Sequence, residues 1–150
     1  MVIIGSTLYE ITWQTNTTFT YDWKTFAPQQ TFTYEGEGWG LTTDGASLIA
    51  SDGTSTLRWM SPRTLRVRRT VSVRDDGQPV RNLNELEMID GAIWANVWLT
   101  DHIAIIDPRD GHVRAWLDLG SLNPRPPDPG AVLNGIAVDP VTSLPIVTGK

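Results

Sequence analysis

The sequence predicts an all-β fold, a β-propeller, on three observations. Short segments that alternate apolar and polar residues recur along the 150 residues, and Gly, Pro, Asn and Asp cluster at the turns between them. No segment shows the apolar spacing of an amphipathic helix convincingly. Similar motifs also return about every 46 to 50 residues, which is the spacing expected for four-stranded propeller blades.

The twelve predicted strands are short and regularly spaced. They cover residues 8–13, 19–23, 31–34, 47–51, 57–60, 65–73, 83–89, 92–98, 103–106, 113–119, 133–138 and 145–148. Residues 16–18 are predicted to form a turn, as are Asp44-Gly45 and Asp90-Gly91, and the proline-rich residues 122–130 a loop. The strand pair at residues 83–98 is the clearest copy of the repeating unit.

The long-range repeat sets the predicted blade boundaries. Segments that open a unit begin at residues 37, 84 and 134, and matching turns lie at residues 44–45 and 90–91 and at residues 61–64 and 107–110. The sequence therefore predicts one domain over residues 1–150 with about three to three and a half blades. These are a partial blade before residue 37, blades opening near residues 37 and 84, and a truncated blade from residue 134. Propellers contain roughly four to eight blades, so this is a partial propeller.

The first strand of each propeller blade lines the central channel, and the residues that open each unit meet at one mouth of it. This arrangement predicts a shared cavity near Trp39, Asn84, Glu85 and Asn134, although they are distant in sequence. Seven tryptophans in so short a chain also indicate a binding surface in addition to core layers. Three of them, Trp59, Trp94 and Trp116, are predicted to lie in the core.

Composition argues against several classes of function. The net charge is −5 and no run of Lys or Arg exceeds two residues, which argues against nucleic-acid binding. The absence of cysteine excludes disulfides, thiolate zinc sites and a cysteine nucleophile. No Ser–His–Asp or metal-ligand pattern is present, no segment is long and apolar enough to span a membrane, and residues 1–5 do not resemble a signal peptide.

Seven motifs, in order, resemble one enzyme family. They are Leu-Tyr-Glu-Ile-Thr-Trp (8–13), Glu-Gly-Glu-Gly-Trp-Gly-Leu (35–41), Ser-Asp-Gly-Thr (51–54), Leu-Asn-Glu-Leu-Glu (83–87), Trp-Ala-Asn-Val-Trp (94–98), Leu-Asn-Gly-Ile-Ala (133–137) and Val-Thr-Gly-Lys (147–150). Together they are similar to the plant and bacterial glutaminyl-peptide cyclotransferases, which are five-bladed propellers. The resemblance runs through the whole chain.

The resemblance implies a reaction and a set of site residues. The expected reaction is the cyclisation of N-terminal glutamine to 5-oxoproline with release of ammonia, without metal or cofactor. The expected partners are peptides or proteins with N-terminal glutamine, and the expected location is periplasmic or secreted. By residue-by-residue match, three indoles form the pocket wall, an amide holds polar groups of the substrate, and a basic group lies at the mouth: Trp13, Trp39, Trp98, Asn84 and Lys150.

The resemblance also leaves the catalytic residue unassigned. The general acid/base of the family is a glutamate in a Phe-Gly-Glu-Gly motif that precedes the strand ending at Trp13, and the sequence begins inside that gap. Glu37, Glu85 and Glu87 are candidate replacements, although channel carboxylates more often bond backbone N–H groups. The three pocket indoles also suit inter-blade packing, and Asn84 suits a turn cap. Two hypotheses follow: a cyclotransferase seen in part, or a non-catalytic propeller module that binds peptide N-termini.

Overall fold

The computed structural model describes residues 1–122 and 132–149. Across these two ranges the chain is all-β, as predicted, and forms sixteen β-strands rather than the twelve predicted. In chain order the strands are β1 (Val2–Ile4), β2 (Thr7–Ile11), β3 (Thr17–Asp22), β4 (Pro28–Thr33), β5 (Gly40–Thr43), β6 (Leu48–Ser51), β7 (Thr56–Met60), β8 (Val67–Ser72), β9 (Arg74–Asp75), β10 (Gln78–Pro79), β11 (Leu83–Ile89), β12 (Ala92–Val97), β13 (His102–Ile106), β14 (Val113–Asp118), β15 (Leu133–Val138) and β16 (Pro145–Gly149).

The strands form a series of antiparallel sheets arranged as propeller blades. Three sheets have four strands each in sequence order, β1 to β4, β5 to β8 and β11 to β14. β15 pairs with β16, and β9 pairs with β10 in a small separate hairpin. The first strands of neighbouring sheets pack in turn, β1 against β5, β5 against β11 and β11 against β15. This is the arrangement expected when the first strand of every blade is innermost.

The core lies between consecutive sheets. One apolar cluster, which includes Tyr9, Leu41 and Leu48, joins the first two sheets. A second joins the middle two and contains Leu57 and Leu86, both fully buried. A third packs β15 against the sheet β11 to β14. Because each strand alternates its side chains between two faces, a central sheet contributes to the cluster on each side of it.

The first sheet is complete, which corrects the prediction of a partial blade before residue 37. Its innermost strand, β1, was not predicted. A strand of three residues is too short to show alternation, and a tight turn at Gly5, with φ of 61°, ends it. Val2 and Ile4 are half-buried and pack against the cluster shared with the second sheet, so tertiary contacts favour this strand.

Several strand boundaries also differ from the prediction. Only Asn16, with φ of 54°, adopts a turn conformation in residues 16–18, because Thr17 already begins β3. Leu65 has φ of 52° and donates its N–H to the Ser61 carbonyl, so β8 begins two residues later. Trp116 is 39% exposed on β14 rather than in the core, and its indole N–H donates to Asp75. Most of the predicted loop at 122–130 lies outside the described residues.

The central strand pair matches its prediction. β11 and β12 are joined by Asp90 and Gly91, with φ of 49° and 73°, which are the values of a tight hairpin turn. β11 is irregular near its start, where the register shifts between Leu83 and Leu86. β15 repeats this irregularity between Leu133 and Ile136. No helix in the described ranges is long and apolar enough to cross a membrane.

Candidate functional site

A cavity of about 290 Å³ opens where the ends of several blades meet. Its lining comes from five separate segments of the chain. Trp13 follows β2, Gly38 and Trp39 precede β5, and Asn84 lies in the irregular start of β11. Trp98 follows β12, and Asn134 lies in the irregular start of β15. We call this cavity the tryptophan pocket, after the three indoles that form its wall.

Glu37 orients two of the three indoles. Its Oε2 accepts the indole N–H of Trp13 at 2.8 Å and that of Trp39 at 2.7 Å. The segment that carries Glu37 is itself held by Arg58, whose guanidinium donates to the Glu35 carbonyl at 2.9 Å. One carboxylate oxygen therefore fixes two walls of the pocket relative to each other.

Trp39 is confined on its other sides as well. The Trp98 ring meets it edge to face, with centroids 5.4 Å apart and an interplanar angle of 85°. Gly53 lies against the Trp39 indole, and a Cβ added to Gly53 would lie 2.7 Å from the ring. The Gly53 N–H donates to the Leu83 carbonyl, and the Gly53 carbonyl accepts the Asn82 N–H. The turn that supports Trp39 is thus bonded to the next sheet.

Asn84 is held by its backbone, which leaves its side chain available. Its carbonyl accepts the Ser51 hydroxyl at 2.6 Å, and the Gly40 backbone approaches so closely that an added Cβ would lie 2.0 Å from that carbonyl oxygen. Asn84 is 8% exposed, and no described residue hydrogen-bonds its side-chain amide. The pocket therefore contains a nearly buried carboxamide with free donors and a free acceptor.

Asn134 places a second carboxamide in the pocket, from the next blade. Its Oδ1 is buried and has no hydrogen-bond partner among the described residues. The backbone beside it is fixed by two bonds from the preceding blade. The Gly135 N–H donates to Asn96 Oδ1 at 3.0 Å, and the Ile136 N–H donates to Glu85 Oε2 at 3.0 Å.

Glu85 and Glu87 lie on β11 near the pocket but do not line it. The pKa of Glu85 is raised to about 7, mainly by burial and in smaller part by the nearby negative charge of Glu87, while the N–H of Ile136 opposes the shift. Burial also raises the pKa of Glu87, and the Thr42 hydroxyl opposes that shift. Both carboxylates bond elements of neighbouring blades, which is the structural role expected of channel carboxylates. Within the described ranges, no three His, Cys, Asp or Glu side chains are placed to hold a metal ion.

Four of the five site residues predicted from the sequence converge on the tryptophan pocket: Trp13, Trp39, Asn84 and Trp98. The fifth, Lys150, lies outside the described residues. Glu85, which was predicted to lie near the same cavity, is next to the lining residue Asn84 and bonds the backbone of β15. Glu37 was weighed as a catalytic substitute or a backbone acceptor, whereas it bonds two indoles. The signal for that role was its position two residues before Trp39, in a motif shared with the pocket wall.

A second cavity, of about 370 Å³, lies between the first two sheets and is lined by mainly polar groups, including Tyr9, Gln30 and Arg63. It contains none of the predicted site residues. The Tyr9 hydroxyl within it already donates to the Pro62 carbonyl at 3.2 Å. Although it is larger, this cavity has a mostly polar lining, whereas the tryptophan pocket has an aromatic wall, so the tryptophan pocket is the better candidate site.

Comparison with known proteins places the pocket in a family context. The sequence model of the glutamine cyclotransferase family matches residues 1–150. A glutaminyl-peptide cyclotransferase from Arabidopsis thaliana is 44% identical over 155 residues, which covers all of this chain and 48% of that protein. The chain thus spans about half the length of this curated relative.

Solved structures agree on the fold. The crystal structure of Myxococcus xanthus glutaminyl cyclase matches 99% of this chain and 66% of that chain, with a TM-score of 0.92 and 36% identity. Hydrazine synthase from Kuenenia stuttgartiensis matches 77% of this chain and 34% of that chain, with a TM-score of 0.55 and 12% identity, which is a likeness of fold alone.

Proposed function

The chain belongs to the glutamine cyclotransferase family, and from that premise we propose that the protein carrying it cyclises N-terminal glutamine of peptides to 5-oxoproline. The α-amine attacks the side-chain amide carbon, a C–N bond forms, and the bond to the amide nitrogen breaks. One amine proton moves to the leaving nitrogen, which departs as ammonia. The observation that carries the proposal is the convergence of Trp13, Trp39, Asn84 and Trp98, each matched to the family by sequence, on one cavity.

The three indoles suit the apolar part of this substrate. The two methylenes of a glutamine side chain are apolar, and rigid aromatic walls can hold the chain folded so that the amine meets the amide carbon. Such positioning supplies a large part of the acceleration in intramolecular reactions, because both reacting groups already lie on one molecule.

Asn84 suits the polar part. Its side-chain Nδ2–H groups have no partner in the described chain, and they can donate to the substrate amide oxygen as negative charge develops there. Lys150 is proposed as a basic group at the pocket mouth, from its place in the Thr-Gly-Lys motif. The family's general acid/base glutamate is expected from its Phe-Gly-Glu-Gly motif, and we assign no residue of this chain to that step.

The test uses the full-length protein that carries this chain and a short peptide beginning with Gln. We expect release of ammonia and a product lighter by one ammonia, without added metal. The same peptide with an acetylated α-amine is the control and should not react, because the nucleophile is blocked. Saturable quenching of tryptophan fluorescence by the Gln-peptide without any turnover would contradict the enzyme proposal and favour the non-catalytic binding module.

A further inference from the structure

Asn134 and Asn84 occupy equivalent positions in successive blades. Each follows the leucine that begins an inner strand, Leu133 or Leu83, and each lies within the irregular stretch of that strand. The propeller repeat therefore brings two carboxamides from adjacent blades into one pocket. The family resemblance assigned a role to Asn84 alone.

The Asn134 side chain has an unusual hydrogen-bonding state. Its Oδ1 is buried, yet no described residue donates to it. A buried acceptor without a partner is unfavourable, so such groups are rare in folded proteins unless a ligand or water supplies the donor. The position is nevertheless firmly held, because both N–H groups that follow it are bonded to the preceding blade through Asn96 and Glu85.

One oxygen of the nearby Glu37 carboxylate is already used by the pocket wall. Glu37 Oε2 accepts two indole N–H groups, so it is occupied before any ligand enters. A substrate with an N-terminal amine brings a donor that needs an acceptor. An amide oxygen suits this donor better than a carboxylate does, because a carboxylate would stabilise the protonated amine, which cannot act as a nucleophile.

We propose that Asn134 is a substrate-positioning residue whose Oδ1 accepts an N–H of the substrate's neutral α-amino group. This inference rests on the proposed function and deepens it, because it names the group that orients the nucleophile. One N–H donated to Oδ1 fixes the rotation of the amine, which directs its lone pair at the side-chain amide carbon. Asn84 then holds the amide end of the same residue, so the two carboxamides define both reacting groups.

The first variant is Asn134→Leu, which keeps the size of the side chain and removes its polar atoms. Because it removes a buried acceptor that lacks a partner, we expect thermal stability equal to or above that of the wild type. We expect kcat/KM for Gln-peptides to fall about tenfold or more. The matched control is Thr18→Val, since the Thr18 hydroxyl is also buried without a described partner but does not line the pocket. It should equal or exceed wild-type stability at unchanged kcat/KM.

The second variant, Asn134→Asp, tests which substrate group is bound. A carboxylate beside the bound amine holds its proton more tightly, so the acid limb of the kcat–pH profile should move up by about one unit or more. A purely structural asparagine would not move this limb. An unmoved limb, or a kcat/KM for Asn134→Leu within twofold of wild type, overturns the inference.

The wild-type protein, assayed alongside, separates the two proposals. If it turns over Gln-peptides while Asn134→Leu is equally active, only the inference fails. If the wild type shows no turnover, the proposed function fails. Quenching of tryptophan fluorescence by the same peptide then tests whether Asn134 contacts the peptide's α-amino group. Weaker binding by Asn134→Leu would support a hydrogen bond to Asn134, and equal binding would overturn it.

Discussion

A single oxygen atom, Oε2 of Glu37, accepts hydrogen bonds from the indoles of both Trp13 and Trp39. Trp13 is 60% exposed, so the hydrogen bond to Glu37 is the main contact that fixes its side chain and packing contributes little. Without the carboxylate, the Trp13 and Trp39 indoles would no longer be fixed relative to each other in the pocket wall, while the β-sheets would stay intact. The effect should therefore appear in catalysis more than in stability.

We predict that Glu37→Ala in the full-length protein lowers kcat/KM for Gln-peptides about tenfold, because two charge-assisted hydrogen bonds are lost. Glu37→Gln should cost less, since its amide oxygen still accepts N–H groups. Steady-state kinetics and the near-ultraviolet circular dichroism of the tryptophans are the measurements. Glu35→Gln is the matched control, because it removes one charge from the same segment without touching an indole. A fall in kcat/KM of the same size in that control would contradict the assigned role.

Sequence reasoning at this scale found the residues but not their bonds. Trp13, Trp39, Asn84 and Trp98 were predicted because each lies in a motif with a family counterpart. That Glu37 also bonds the Trp13 indole could not be read from spacing, because Trp13 lies 24 residues away in the sequence. The free acceptor of Asn134 likewise depends on which neighbours fail to reach it, and that is a property of the assembled fold.

At the scale of the element, the Asp-Gly turns have two different functions. Gly45 and Gly53 both have positive φ, 86° and 79°, so either would be strained by a Cβ. Gly45 has no neighbour within 4 Å of an added Cβ, whereas at Gly53 the Trp39 ring lies 2.7 Å away. The second turn is therefore also a support for the pocket wall.

This pair gives a controlled test of the support. Gly45→Ala should lower the free energy of unfolding by about 1 kcal/mol, from the backbone conformation alone. Gly53→Ala should lower it by about 1–3 kcal/mol more, because the methyl group must displace the ring. Chemical denaturation gives both values, and peptide turnover shows whether the pocket changed. Equal destabilisation of the two variants, with turnover unaffected in Gly53→Ala, would show that Gly53 does not support Trp39.

Elements with a clear two-residue period were predicted well, and irregular ones were not. The hairpin of β11 and β12 followed from its alternation and its Asp-Gly turn. β1 was missed because three residues carry no usable period. The turn before β3 was predicted to end at residue 18, which is too late, because Thr17 and Thr18 already belong to the strand. For β1, packing between sheets decides the structure, since Val2 and Ile4 pack against the cluster shared with the neighbouring blade.

At the scale of the whole molecule, the blades are joined by polar bonds as well as apolar clusters. Glu85 is the clearest case, because its Oε2 binds the backbone of β15 while burial raises its pKa to about 7. A pKa above the ordinary value of 4.5 means that the folded state binds the proton more tightly than the unfolded state. The contribution of protonated Glu85 to the stability of the folded state is fully present below about pH 4.5 and is lost as the pH rises through about 7.

We therefore predict that Glu85→Gln makes the full-length protein more stable at about pH 8, by about 1–3 kcal/mol, with no gain at about pH 4. Glutamine keeps an acceptor for the Ile136 N–H and removes the charge that burial penalises. Denaturant unfolding at the two pH values gives the difference. Glu35→Gln again serves as control, from an exposed position. A gain of equal size at both pH values would contradict the assigned pKa.

The blade order was predictable because turns and unit-opening segments recur at regular intervals in the sequence. The completeness of the first blade was not, since its inner strand lacks the opening motif that marks the later ones. The convergence of the unit-opening segments that carry Trp39, Asn84 and Asn134 followed from the propeller geometry, whereas Trp13 and Trp98 were predicted from the family resemblance. A repeat that rotates about an axis returns each opening segment to the same end of the molecule.

The indole N–H groups of Trp13 and Trp39 are both occupied by Glu37, which limits what these two walls can do. They can offer a ligand only the faces and edges of their rings, so they discriminate by shape and not by hydrogen bonding. Among the other described residues that line the pocket, directional discrimination falls to the two carboxamides and the Trp98 indole. Substitutions of the indoles would thus change how tightly a ligand residue is enclosed. Substitutions of the carboxamides would instead change which polar group that ligand residue must carry.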